Sequence, residues 1–339
     1  MTTYPNTSVI IPCRNEEKFI GKCLDSIIAQ DYPKDKLEVL IVDGMSEDET
    51  RKISEKYIGQ YPFIKILDNP KKITPCALNI GIKNAKGEII IRMDAHAIYE
   101  KDYISKCIKY LNECSADNVG GNMVTLPANN SLIARAIVKV LSNRFGVGNS
   151  AFRTNEKKLR LVDTVFGGCY RKEVFNKFGL FNENLIRSQD MEFNLRLRKS
   201  GGKILLVPDI VTYYYPKSNF KDFFIHNFED GIWAILPLKY VKMPLCLRHY
   251  IPLIFVSGLI GTGILGIFFS VFFWLFVFII GLYLLISIYF AVKIASKEKN
   301  IKFLFLMPIA FAIRHFGYGI GSTFGFFKLL IKYLYLEKF

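Results

Sequence analysis

The chain has 339 residues, 51% of them apolar, and carries 45 Lys and Arg against 30 Asp and Glu, a formal net charge of +15 at pH 7. That is enough for one large or two smaller domains with real cores, and the apolar content is too high and too unevenly placed for the basic face of a nucleic-acid binder. Seven cysteines without a CxxC pair exclude a zinc ribbon and a disulfide scaffold and point to a reducing compartment.

The opening MTTYPNTSVIIPCRNEE has no basic leader and no hydrophobic segment of signal length, so the N-terminal domain is expected to stay where it is synthesised. SVII (8–11) reads as a buried strand ending at Pro12. Phe19, Ile20, Cys23, Leu24, Ile27 and Ile28 then recur at helical spacing behind Glu16 and Glu17. The unit repeats: VLIV (39–42) runs into Asp43, and Ser46 and Glu49 have capping-box spacing ahead of a helix with Ile53 and Tyr57. Thr74 at a cap position and Pro75 in a first turn announce a third helix, which leads through Gly87 to the strand EIIIRM (88–93). This alternation predicts an α/β domain with a mostly parallel sheet up to about residue 216. Near its end, the alternation of Met191, Phe193, Leu195 and Leu197 fits a strand. Glu192 and Arg196, four apart, favour a helix capped by Ser188 and ended by Gly201.

Residues 217–249 form a juxtamembrane amphipathic segment. Phe220, Phe223, Phe224, Phe228, Ile232 and Trp233 share a helical face, which suits either a helix lying in a membrane interface or one packed on the domain's own core. Residues 250–339 read as a membrane domain. No charged residue occurs from Ile251 to Val292, room for two spans at about 251–270 and 272–292. A further apolar stretch, about 303–327, is interrupted by Arg314 and His315 and either spans or re-enters. KIASKEKNIK (293–302) holds four lysines and one glutamate, which marks the cytoplasmic side. Two crossings before it put the first domain there as well, in a multi-pass protein of the cell membrane.

In an open parallel sheet, ligands bind beyond the carboxyl ends of the strands. Asp43 follows VLIV and Asp94 follows IIIRM, so two carboxylates are expected to converge on one crevice, suited to a nucleotide diphosphate and a divalent cation. Asp94 and His96 are alternate residues and would project to the same side of an extended chain, where one metal touches both. Taken alone, Asp94 is equally an ordinary turn or cap residue, and His96 a hydrogen-bonded side chain near the surface.

Five stretches taken together, SVIIPCRNEEKFIGKCLDSIIAQ, IVDGMSEDET, ALNIGIKNAKGEIIIRMDAHAIYEKDYI, FGGCYRKEVFNKFGLFNE and QDMEFNLRLRKSGGKILLVPDIVTYYYP, resemble in order and spacing the family 2 glycosyltransferases with a GT-A fold. The likeness is greatest to the succinoglycan-type glucosyltransferases, which end in membrane helices. It implies transfer of a sugar from a nucleotide diphosphate sugar to an acceptor hydroxyl, with inversion at the anomeric carbon. By the same resemblance Pro12, Arg14 and Glu16 form the first nucleotide-contacting loop, with Arg14 where many members carry Tyr, and Asp43 meets the nucleobase. Asp94 and His96 stand at the DXD position as ligands of Mn²⁺ or Mg²⁺. Asp190 is the base, beside Gln189, which replaces the usual acid. Gly167 and Gly168 line the donor-sugar and acceptor site, or else form a tight turn before a helix at 172–178. Arg196 is a candidate for holding the diphosphate, against the plainer alternative of a solvated side chain.

The acceptor expected for an enzyme tethered beside the bilayer is a lipid-linked saccharide. Two other classes stand beside this one. A processive synthase would need a pore and a Gln-x-x-Arg-Trp motif, and NFEDGIWAI lacks the Arg; a non-catalytic nucleotide-binding membrane protein would have no use for Asp43, Asp94 and Asp190 together.

Overall fold

A computed structural model describes residues 4–336. The chain forms two compact units. One takes the chain up to Val124 and from Asn155 to Tyr215; the other takes Thr125–Thr154 and the chain from Pro216 onward.

The elements run β1 (Thr7–Cys13), α1 (Ile20–Ile28), β2 (Leu37–Asp43), α2 (Thr50–Gln60), β3 (Ile64–Asp68), α3 (Thr74–Asn84), β4 (Ile89–Arg92), β5 (Ala97–Tyr99), α4 (Tyr103–Glu113) and β6 (Asn118–Thr125). Then follow α5 (Leu132–Leu141) and α6 (Arg144–Val147) of the second unit, and β7 (Arg160–Leu161), β8 (Cys169–Arg171), α7 (Lys172–Phe178), α8 (Gln189–Lys199) and β9 (Ile204–Tyr214) of the first. β1 pairs in parallel with β2 and β4, and β2 with β3. Helical crossovers cover both faces of such strands, which is why Val9, Ile10, Ile11 and Val39 to Val42 form an unbroken buried apolar core.

The sheet runs β3-β2-β1-β4-β8-β6-β9-β5, with β7 beside β9. β8 lies antiparallel to β4 and β6, and β5 and β7 lie antiparallel to β9. The sheet is therefore mixed, parallel only where the βαβ alternation operates. β5, β7 and β8 are two or three residues long, too short for a hydrophobic period to announce them. Two helix starts also differ from the expectation. Ser46 does not cap α2: its hydroxyl donates to Asp43 at 2.6 Å, and Asp48 accepts the Thr50 amide at 3.0 Å instead. Thr74 begins α3 without capping it, since the N-cap position is Ile73.

The second unit adds α9 (Phe220–Ile235), α10 (Leu247–Gly266), α11 (Ser270–Glu298) and α12 (Lys302–Leu336) to α5 and α6. Three of these, α10, α11 and α12, are long and apolar enough to cross a membrane. α12 is continuous through Arg314 and His315, so the described part of this stretch is one helix and not a re-entrant hairpin. Its polar groups are met inside the protein: Arg314 donates to Asn227 and to the Gly146 carbonyl, and His315 Nε2 lies 2.8 Å from the Phe145 carbonyl.

α9 lies along α12 within the second unit. A Cβ on Gly321 or Gly325 would come within 2.0 or 2.4 Å of the carbonyl oxygens of Phe228 and Ile232, an approach only glycine permits. Residues 125–154, placed within the first domain by their sequence position, fold with the second unit for a similar reason. Ala136, Ile137, Val140 and Leu141 of α5 share a core with Ala291, Phe303, Met307 and Phe311, and Arg135 and Lys139 both pair with Glu298, at 2.7 and 2.5 Å.

Candidate active site

Each of the four parallel strands contributes a residue at or just beyond its C-terminal end to a single cleft of about 180 Å³: Pro12 from β1, Gly44 after β2, Asn69 after β3 and Asp94 after β4. Arg14, Glu16 and His96 line the same cleft. Five residues singled out by the sequence, Pro12, Arg14, Glu16, Asp94 and His96, thus come together. The path by which the last two arrive differs from the expectation. The Ala97 amide donates to the Asp94 carbonyl at 3.1 Å, so Asp94 and His96 share a tight turn rather than one side of a strand. The Met93 amide bonds to the Ile10 carbonyl at 3.0 Å and the Asp94 amide to the Tyr99 hydroxyl at 2.6 Å, which fixes that turn to β1 and β5.

Asp94 is 8% exposed. Arg92 grips it with two donors, Nε to Oδ1 at 2.9 Å and Nη2 to Oδ2 at 3.3 Å. Burial by itself would push this carboxyl up, but the Arg92 guanidinium and then His96 hold it below the usual carboxylate range. His96 Nδ1 lies 3.1 Å from Glu16 Oε1. Burial disfavours the charged imidazole, yet the Glu16 bond and the Asp94 charge leave its pKa raised above the ordinary value. With Nδ1 engaged by a carboxylate, Nε2 is the nitrogen available to a cation, an arrangement that also orients the ring.

Among the described residues no group of three or more His, Cys, Asp and Glu could hold a metal. The donors lining the cleft would therefore suit a hard divalent cation only as part of a shared ligand set: Asp94 and His96 from the chain, the rest from a bound diphosphate and water.

Asp43 is placed differently. It is 1% exposed, does not line the cleft, and accepts the Ser46 hydroxyl at 2.6 Å, the Ser46 amide at 3.2 and 3.3 Å and Arg51 Nη1 at 3.4 Å. The expected meeting of two carboxylates is not formed, because these neighbours draw Asp43 back toward α2. Arg196 is also turned away from the expected role. Its guanidinium forks Glu192 at 2.6 and 3.0 Å and donates to the carbonyls of Phe178 and Leu180, bracing α8 against the loop after α7.

Asp190 lies in the first turn of α8, its side chain 41% exposed, with Oδ1 accepting the Met191 amide at 2.8 Å. Ser188 holds the N-cap position at φ 58° but makes no side-chain cap bond, while Gly201, at φ 81°, follows the helix end. Gln189 is buried and its Oε1 has no hydrogen-bond partner. Gly167 (φ 69°) and Gly168 (φ 122°) carry the chain past the end of β4: a Cβ on Gly167 would lie 2.8 Å from the Arg92 carbonyl, and the Arg92 amide donates to Gly168 at 3.0 Å.

Sequence reasoning passed over Arg92, Asn69 and Lys72, which also line the cleft. For Arg92 the signal was there, a lone charge inside a buried isoleucine strand. For the other two, in the loop after β3, nothing in the pattern marks them.

A cleft at the ends of parallel strands, with a forked acid and a carboxylate-bound imidazole, defines an α/β protein with a polar ligand cleft where such folds hold their ligands. The chain matches the glycosyl transferase family 2 model over residues 8–179 and belongs to that family. Over 332 residues it is 33% identical to the dolichyl N-acetyl-alpha-D-glucosaminyl phosphate 3-beta-D-2,3-diacetamido-2,3-dideoxy-beta-D-glucuronosyltransferase of Methanococcus voltae, covering 96% of this chain and 97% of that one. It is 29% identical to the succinoglycan biosynthesis protein ExoA of Rhizobium meliloti over 254 residues, 74% of this chain and 76% of that one. Among solved structures it resembles the mannosyltransferase PcManGT from Pyrobaculum calidifontis in complex with GDP-Man and Mn²⁺, at 18% identity and a TM-score of 0.58 over 93% of this chain and 88% of that one. S. aureus TarS 1–349 in complex with UDP gives 21% identity and a TM-score of 0.50 over 72% and 68%. The first unit therefore has the GT-A architecture implied by the motifs, and the protein is a glycosyltransferase.

Proposed function

We propose that this glycosyltransferase moves a sugar from a nucleotide diphosphate sugar to a hydroxyl of a lipid-linked saccharide, with inversion, on the cytoplasmic face of the cell membrane. The observation that carries the reading is the cleft itself, where Pro12, Arg14, Glu16, Asp94 and His96 converge at the strand ends. The names of similar proteins support the choice of substrates: a transferase acting on a dolichyl-phosphate-linked sugar, and structures holding UDP or GDP-Man with Mn²⁺.

In this reading the Pro12–Glu16 loop receives the nucleotide. Asp43, held by Ser46 and Arg51 outside the cleft, shapes the end of β2 behind the nucleotide rather than meeting the nucleobase itself. Asp94 and His96 would hold a divalent cation, which would supply charge neutralisation for the leaving diphosphate. Asp190 Oδ2 takes the proton of the acceptor hydroxyl as that oxygen attacks the anomeric carbon opposite the diphosphate. Gln189, with a free acceptor, and the Gly167–Gly168 turn border the space for the sugars.

The test is to incubate membranes containing the protein with a panel of nucleotide sugars and extracted lipid-linked acceptors and to weigh the products. One added sugar is expected, lost on chelation and reduced about 10²- to 10⁴-fold in Asp190→Asn. No transfer from any donor overturns the proposal, and unchanged transfer by a folded Asp190→Asn protein removes the base assignment.

A further inference from the structure

We propose that Arg92 is a positioning residue that holds Asp190 for the acceptor hydroxyl, using one edge of its guanidinium for Asp94 and the other for Asp190. The inference rests on the reading of Asp190 as the base.

Arg92 ends β4 with its side chain 12% exposed. Its Nε and Nη2 are taken by the two oxygens of Asp94. Nη1 points the other way: it lies 3.8 Å from Asp190 Oδ2, is buried, and has no hydrogen-bond partner. Buried donors in folded proteins are nearly always satisfied, so an orphan N–H aimed at a carboxylate just beyond bonding distance marks a contact that closes in the working complex. Asp190 needs such a contact. Its side chain is 41% exposed and gains little position from packing, and the Met191 amide fixes Oδ1 alone. Oδ2, the oxygen left to take a proton, is the one that faces Arg92.

The bridge also has a firm footing. The Arg92 amide is bonded to the Gly168 carbonyl and the following amide to Ile10, both at 3.0 Å, so the strand end cannot drift. Only arginine has a planar fork with two usable edges; a lysine ammonium is a single point charge and serves one carboxylate well or two poorly. The width of the guanidinium then sets the separation between the acid that anchors the donor and the acid that activates the acceptor. An arginine within a buried isoleucine run is the sequence mark of this role.

The experiment uses the full chain in membranes and compares wild type, Arg92→Lys, Asp190→Asn, the double variant and Asp190→Glu, measuring kcat, donor KM and nucleoside diphosphate binding without acceptor. Arg92→Lys is expected to lower kcat at least tenfold. In the Asp190→Asn background the same change should cost less than twofold, because the residue it acts through is gone. Asp190→Glu, half-exposed and safe for folding, should also lose at least tenfold, since its carboxylate no longer meets a fixed partner. Wild-type kcat in Arg92→Lys, losses that multiply in the double variant, an effect confined to donor KM, or a near-normal kcat in Asp190→Glu would each overturn the proposal. Should Arg92→Lys fail to bind nucleotide at all, Asp190→Glu alone decides. Full activity in Asp190→Asn would instead defeat the base assignment, a separate outcome.

Discussion

Asp43 and Asp94 occupy matching positions at the ends of neighbouring parallel strands, and the sequence treats them alike. What separates them is their nearest donors: Ser46 and Arg51 bind Asp43 from the α2 side, whereas Arg92 grips Asp94 from behind and leaves it facing the cleft. The strand ends were legible from the apolar runs. Which way each carboxylate turns depends on side chains a few residues away, which no period reveals. His96 illustrates the same limit, because its partner Glu16 lies eighty residues earlier. That partnership gives a prediction. Glu16→Gln removes the carboxylate that orients the imidazole, so the Mn²⁺ needed for half-maximal transfer, and for half-maximal donor binding without acceptor, should rise about 10- to 100-fold. An unchanged requirement in both measurements would take His96 out of the metal site.

Among the elements, the loop between α7 and α8 is tied to α3 by contacts far apart in sequence. Asn79 exchanges two hydrogen bonds with the Phe181 backbone, at 2.9 and 3.0 Å, and Glu183 pairs with Lys71 at 2.7 Å and accepts from Asn79 at 3.0 Å. The Lys71 bond, then Asn79 and Cys76, bring the Glu183 carboxyl down to about 2 from an ordinary 4.5. A carboxyl depressed in the folded state contributes stability that is whole above its unfolded pKa and fades as pH falls toward the folded one. Glu183→Gln should therefore melt lower than wild type at pH 6, with the gap narrowing below about pH 4.5; the pair is partly exposed, so the gap is under about 1 kcal/mol. A constant gap across that range would show that the ion pair contributes nothing. The α9–α12 contact is the opposite case, legible as glycines spaced four apart at 317, 321 and 325 though not as a partner. Gly321→Leu should force the helices apart and lower the melting temperature by several degrees, while the same change at Gly281, where a Cβ meets nothing within 4 Å, should not.

On the scale of the whole molecule, the sequence divides at about 216 because the α/β alternation ends there, but the division conceals an exchange: residues 125–154 leave the first unit's span and join the helices. Their apolar face looks like that of any soluble helix, so only the shared core with α11 and α12 and the double ion pair to Glu298 reveal their allegiance. Glu298→Lys should release α5 and expose the 125–154 segment to protease, and the double variant carrying Arg135→Glu and Lys139→Glu should restore protection; protection unchanged in the single variant would mean that apolar packing alone holds the segment. The charge pattern makes a stronger demand. Lysines cluster at the end of α11 and just beyond it, at 293–302, and are absent from the α10–α11 turn at 267–269. Under the proposed cytoplasmic orientation, with α10, α11 and α12 all crossing, that turn would lie outside, and both the lysine cluster and the start of α10 inside. In intact cells, a membrane-impermeant maleimide should label a cysteine introduced at Phe268 and spare one at Asn300 until the membrane is opened. The reverse pattern would move the glycosyltransferase unit to the outer face, where nucleotide sugars made in the cytoplasm do not reach it.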